Sequence, residues 1–157
     1  LLLIYKPFIK GDFIEAQGHK GTVKELQIFN TVLNTLDNKV VFIPNGPLST
    51  GTIVNYTREP QRRIDSVFSI SYGDDIDKAK SIIQNVIDSN PKILKEPEVV
   101  IGVKQLSASS VDIESRVWVN TVDIVELGFY MNEAVKNEFD KNGITIPFPQ
   151  MDVNLKK

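Results

Sequence analysis

The sequence predicts an α+β chain of three parts: a small five-stranded β-barrel, a ferredoxin-like α/β sandwich and a separate C-terminal strand. Three observations predict it. Residues 11–56 hold five short runs of alternating apolar and polar residues, broken by turn-formers and without a helical period. Residues 64–142 switch between a two-residue and a 3.6-residue period in the order β-α-β-β-α. The end of the chain opens with Pro147-Phe148-Pro149 and then alternates once more.

In the barrel the expected strands are 12–16, 21–29, 31–36, 39–43 and 52–56. Gln17-Gly18-His19-Lys20-Gly21 forms the first turn and Asp37-Asn38 a tight hairpin, because these residue types accept left-handed backbone at low cost. Pro44-Asn45-Gly46-Pro47 ends the fourth strand, with Asn-Gly expected to make a sharp reversal. Five strands in so short a span suggest an Sm-like barrel over 9–57. Arg58-Glu59-Pro60-Gln61-Arg62-Arg63 marks the boundary, since the periodicity changes across it.

The sandwich is expected over 58–146. Ile64, Phe68, Ile70 and Tyr72 share one face of its first strand, and Asp74, Asp75 and Asp77 then place carboxylates where a helix dipole favours them. Ile76, Ala79, Ile82, Ile83, Val86 and Ile87 form that helix's apolar face, which Asn90-Pro91 stops. Val99, Ile101 and Val103 define the next strand. Val111, Ile113, Val117 and Val119 define the one after, with Asp112, Glu114, Arg116 and Trp118 on its other face. A second helix runs from about 122 to 142, with Val125, Phe129, Asn132, Ala134, Val135 and Phe139 on its expected inner face and Gly143 at its end.

The tail, 147–157, reads as a strand with no partner left in the chain. It could add to the sheet of its own subunit. Alternatively, copies related by a closed rotation bring identical tails side by side, and Met151, Val153 and Leu155 then line one face of a parallel barrel. The prolines favour the second arrangement by detaching the tail from the sandwich.

Composition narrows the function. With 24% charged residues and a formal charge of −2, no global basic field gathers nucleic acid or anionic lipid. The absence of cysteine removes disulfides, zinc–thiolate sites and thiol nucleophiles together. The single histidine, His19, stands in a Gly-flanked turn without partners for metal or acid–base work. Asp74, Asp75 and Asp77 lack the Gly and distal Glu of a calcium loop, and Ser107, Ser109 and Ser110 have no base to activate them. Neither a phosphate loop nor a dinucleotide fingerprint occurs. The sequence therefore points to no catalytic residue, metal or cofactor. Arg58, Arg62 and Arg63 beside a small barrel allow an alternative, a soluble ligand- or RNA-binding module, but no aromatic residue is interleaved with them to stack bases. The opening Leu1-Leu2-Leu3-Ile4-Tyr5 matches no signal peptide and is too short to span a bilayer, and is expected to be the end of something longer.

An ordered set of motifs adds to this. Pro7-Phe8, Gly11-Asp12, Gly21-Thr22-Val23, Gln27-Ile28-Phe29, Ile43-Pro44-Asn45-Gly46, Asn55-Tyr56-Thr57-Arg58-Glu59-Pro60, Arg116-Val117-Trp118 and Pro147-Phe148-Pro149-Gln150 together resemble the small-conductance mechanosensitive channel (MscS-like) family, from about Leu3 to Lys156. The resemblance implies a homoheptamer in a bacterial-type inner membrane, with this region on the cytoplasmic side and the membrane lipid met through helices preceding it. Small barrels form a ring, α/β domains enclose a cage with side openings, and tension opens the pore to ions and small osmolytes during hypo-osmotic shock. Residues 1–8 would end the pore helix, with Lys6, Pro7 and Phe8 at the membrane junction. Asn45 and Gly46 would meet the pore helix and influence inactivation, and Gln150, Met151, Asp152, Val153, Asn154 and Leu155 would form the closing barrel. The resemblance implies no enzyme activity, no cofactor and no nucleic-acid partner.

Overall fold

The computed structural model describes residues 6–157; the expected pore-helix end at Leu1–Tyr5 lies outside them. The chain divides after Pro60 into two compact units.

The first unit is an antiparallel sheet of five strands: β1 (Phe13–Ala16), β2 (His19–Leu26), β3 (Asn30–Asn34), β4 (Val40–Pro44) and β5 (Ile53–Asn55). Their order is β4-β3-β2-β1-β5. The β1–β2 turn needs left-handed backbone at two successive residues, which Gln17 (φ 50°) and Gly18 (φ 76°) supply. The second hairpin uses Asn38 at φ 66°. Gly21 is required for a different reason: a Cβ there would lie 2.8 Å from the Asn34 carbonyl oxygen on the paired strand. A bulge at Val23/Glu25 curves β2, and Phe8, Ile14, Ala16, Val23, Leu33, Ile43 and Leu48 pack inside. Phe8 thus belongs to the core of this unit, and Lys6, Pro7 and Phe8 are not helical.

Two local expectations are corrected. Pro44-Asn45-Gly46-Pro47 does not reverse the chain but starts a short helix, α1 (Asn45–Thr50), whose first turn tolerates Pro47 because no intrahelical donor is lost there. Strand β2 stops at Leu26 rather than Phe29, because the Gln27, Ile28 and Phe29 carbonyls all bond Asn45 instead of a strand.

The second unit follows the expected order, with β6 (Gln61–Ile70), α2 (Ile76–Asp88), β7 (Ile93–Leu94), β8 (Val100–Leu106), β9 (Val111–Asn120), a 3₁₀ turn (Thr121–Asp123) and α3 (Ile124–Lys141). The two-residue β7 was not legible in the sequence. Strand β9 is central, antiparallel to β6 on one side and to β7 and β8 on the other. Its alternation is strict: Val111, Ile113, Ser115, Val117 and Val119 are buried, while Asp112, Glu114, Arg116 and Trp118 lie on the outer face. There Glu114 pairs with both Arg116 and Lys104. Helix α2 buries Ala79, Ile82, Ile83, Val86 and Ile87 of its expected face, while Ile76 at its first position is exposed, and Asp75 caps it by accepting the Lys78 N–H.

Helix α3 departs from expectation. It buries Leu127, Met131, Val135 and Phe139, whereas Val125 and Phe129 are 65% and 71% exposed. Two apolar stripes run along this helix, and contact with the sheet selects one of them. Phe139 meets Phe68 edge to face, with ring centroids 6.4 Å apart. Tyr72, expected on the inner face of the first strand, lies beyond β6 and is exposed. Residues 144–157 carry no regular secondary structure, and among the described residues no strand pairs with the tail.

Candidate functional site

The first unit brings together two groups that the sequence separates by nearly forty residues. A groove of about 530 Å³ is lined by Lys6, Phe8, Ile9, Leu26, Ile28 and Asn45, among others. Its walls are largely apolar, Lys6 and Lys10 stand at it, and Ile28 and Phe29 beside it are exposed.

The backbone on each side of the groove is held by polar residues. On one side Lys6 adopts left-handed backbone (φ 35°) and its carbonyl accepts from Arg58 Nη1 at 3.2 Å. Asn55 Nδ2 donates to the Pro7 carbonyl (3.0 Å) and to Asp12 Oδ2 (2.9 Å). Asp12 also accepts the Ile9 N–H and the Thr57 hydroxyl, each at 3.0 Å. Burial pushes the Asp12 carboxyl up, but the Ile9 N–H, the Asn55 amide, the Thr57 hydroxyl and the Arg58 charge outweigh it and hold it below the ordinary carboxylate range. The Gly11-Asp12 and Asn55-to-Arg58 motifs are therefore two halves of one clasp.

On the other side Asn45 is committed to the fold. Its Nδ2 donates to the Gln27 and Ile28 carbonyls (2.9 and 3.0 Å), its Oδ1 accepts from Thr31 Oγ1 (2.9 Å), and its own N–H bonds the Phe29 carbonyl. Gly46 differs. A Cβ built on it would meet nothing within 4 Å, so packing within the chain does not require glycine there.

In the second unit Asp112 accepts from the hydroxyls of Ser69 (2.7 Å), Ser107 (2.5 Å) and Ser110 (2.8 Å), with the Ser107, Ser69 and Ser110 bonds in that order holding its carboxyl low. Ser109, at the tip of the same hairpin, accepts the Gln150 N–H at 3.0 Å. Of the six tail residues singled out by the sequence, Gln150 is thus attached to the body, while Met151, Val153 and Leu155 are exposed. Asp74, read from sequence as helix-start charge, accepts instead from Ser71 N and Thr145 N (3.1 and 2.9 Å). Nothing local signals that role, because its partner lies 71 residues away. Of the arginines weighed as an RNA patch, Arg58 holds the Lys6 carbonyl and Arg63 pairs with Asp65. Among the described residues no cluster of His, Asp or Glu could hold a metal ion.

Two family profiles cover nearly all of the chain: the mechanosensitive ion channel beta-domain matches residues 1–58, and the mechanosensitive ion channel MscS C-terminal domain matches residues 64–146. The chain belongs to the MscS family of mechanosensitive ion channels. The small-conductance mechanosensitive channel of Edwardsiella ictaluri is 43% identical over 155 residues, covering 99% of this chain and 54% of that protein. The crystal structure of Helicobacter pylori MscS in its closed state superposes with a TM-score of 0.93 at 36% identity, covering 99% of this chain and 62% of that one. Arabidopsis thaliana MSL1 shares the fold, with a TM-score of 0.77 over 94% of this chain and 55% of that one, at 21% identity. The chain spans about half the length of the curated MscS relatives it matches. No helix among the described residues is long and apolar enough to cross a membrane.

Proposed function

We propose that this chain forms the cytoplasmic vestibule of a homoheptameric mechanosensitive channel in a bacterial-type inner membrane, which opens under tension to release ions and small osmolytes during hypo-osmotic shock. The observation that carries the reading is the junction groove. The segment at Lys6 and Asn45 at the start of α1 share one apolar surface, and Gly46, the next residue, is exposed with open space beside its α-carbon. A helix entering from the membrane would pack at such a place, and glycine would let it come close. Lys6 and Lys10 would sit at the headgroup level, and membrane tension acting on the entering helix would reach the barrel through the Asp12 clasp. The exposed Met151, Val153 and Leu155 would pair with the same residues of neighbouring copies and close the cage as a parallel barrel.

The test is electrical. Membrane patches from cells that lack their own mechanosensitive channels, and that carry the full-length gene, are expected to conduct when suction is applied; expressed protein without tension-gated current sinks the reading. Gly46→Ala sharpens it. The added methyl strikes nothing within the chain and suits a helix, so folding is preserved. Inactivation under sustained tension is expected to change about fivefold, the effect of roughly 1 kcal/mol at a contact made from outside this chain. An unchanged time course removes Gly46 from gating.

A further inference from the structure

The polar groups at one end of the second unit form a continuous set. Tyr72, just after β6, donates its hydroxyl to the Ser107 carbonyl, and Ser69 on β6 bonds Asp112 on β9. Asp112 also takes the hydroxyls of Ser107 and Ser110, the two ends of the turn whose tip is Ser109, while Ser107 N–H bonds the Ser110 carbonyl at 2.8 Å. One carboxylate therefore stiffens the turn and ties it to the neighbouring strand.

The chain leaving α3 is gripped at two places, the second of them by this set. Thr145 is held first: its carbonyl accepts the Ser71 N–H at 2.9 Å, and its own N–H reaches Asp74 Oδ2. Gln150 is held second, by Ser109. Between the two grips runs Ile146-Pro147-Phe148-Pro149, whose prolines have restricted backbone and offer no N–H of their own. A stretch with two fixed ends and a stiff middle has one course, so the tail leaves the body at Gln150 in one direction. Past Gln150 every apolar side chain of the tail is exposed: Met151 84%, Val153 70% and Leu155 89%.

We propose that Asp74 and Ser109, with Asp112 acting through Ser107 and Ser110 to place Ser109, are positioning residues that aim the tail for pairing with the tails of other copies. The inference rests on the reading that the tails pair. Aiming lowers the conformational entropy that association must overcome, so the mount strengthens assembly without contributing to the contact itself.

The experiment uses the full-length protein purified in detergent, with two readouts: hydrogen exchange at the Gln150 amide and the temperature at which native mass spectrometry shows the oligomer dissociating. Ser109→Ala removes a single half-buried hydroxyl outside the apolar core. It is expected to speed exchange at Gln150 about tenfold and to lower the dissociation temperature by about 4 °C. Ser109→Thr, which keeps the hydroxyl, is expected to restore both. When 151–157 are deleted, Ser109→Ala is expected to leave the dissociation temperature unchanged, which separates aiming from general destabilisation. If the deletion lowers that temperature but Ser109→Ala does not, the mount is overturned and tail pairing stands. If the deletion itself has no effect, both fall.

Discussion

The two units are held together by different means. Among the described residues the second gathers seventeen buried apolar side chains into one core, whereas the first gathers seven. A small core leaves little apolar area to stabilise its edges. The first unit accordingly ties its loops through three polar hubs, Asp12, Asn45 and Asn55, each bonding to residues remote in sequence. The second unit also has polar hubs, Asp74 and Asp112, but they sit at one end of a sandwich that Phe139, Met131 and Ile113 already hold. Each unit therefore has its own weak point: the first its hydrogen bonds, the second its core.

The strongest challenge to this contrast is Phe139→Ala. The side chain is fully buried against Phe68, and its removal is expected to cost the second unit about 3–5 kcal/mol. Trp118 on β9, the only tryptophan, reports that unit's urea unfolding by fluorescence. A cost below about 1 kcal/mol would mean that the core is not what holds the sandwich.

Next is Asn45→Ala, which removes the hydrogen bonds to Gln27, Ile28 and Thr31 and leaves the buried Thr31 hydroxyl without its partner. The expected loss is about 2 kcal/mol, confined to the first unit. Hydrogen exchange across β2 and β3 measures it, and unchanged protection there would contradict the polar account of this unit.

The smallest effect is that of acid. The folded Asp12 carboxyl is held below its ordinary value of 3.8, so its contribution is complete above that value and fades as pH falls through the lower folded one. Exchange in residues 6–12 is expected to quicken below about pH 4, and Asp12→Asn is expected to abolish that pH dependence. A response in this segment that is the same with aspartate and asparagine would assign it to another group.

Much of the architecture was legible because it is local. The strict alternation of β9 and the spacing of Ile82, Ile83, Val86 and Ile87 declare a strand and a helix, since burial repeats with the period of the backbone. The physical roles of the polar hubs were not visible. Asn45 reads as a turn residue and Asp74 as helix-start charge, because a polar side chain carries no period and does not announce a partner 18 or 71 residues away.

The amino-acid order alone set the kind and succession of the main elements, without α1 and β7, together with the change of periodicity around residues 58–63 and the alternation of the tail. Folding in three dimensions chose which of two apolar stripes α3 buries, made Asn45 begin a helix, closed the Asp12 clasp on residues 6–9 and brought Asp74 to Thr145 and Ser109 to Gln150. The physical reason is range: apolar periodicity is written along the chain, whereas a hydrogen bond between distant segments exists only once the core has brought them within about 3 Å.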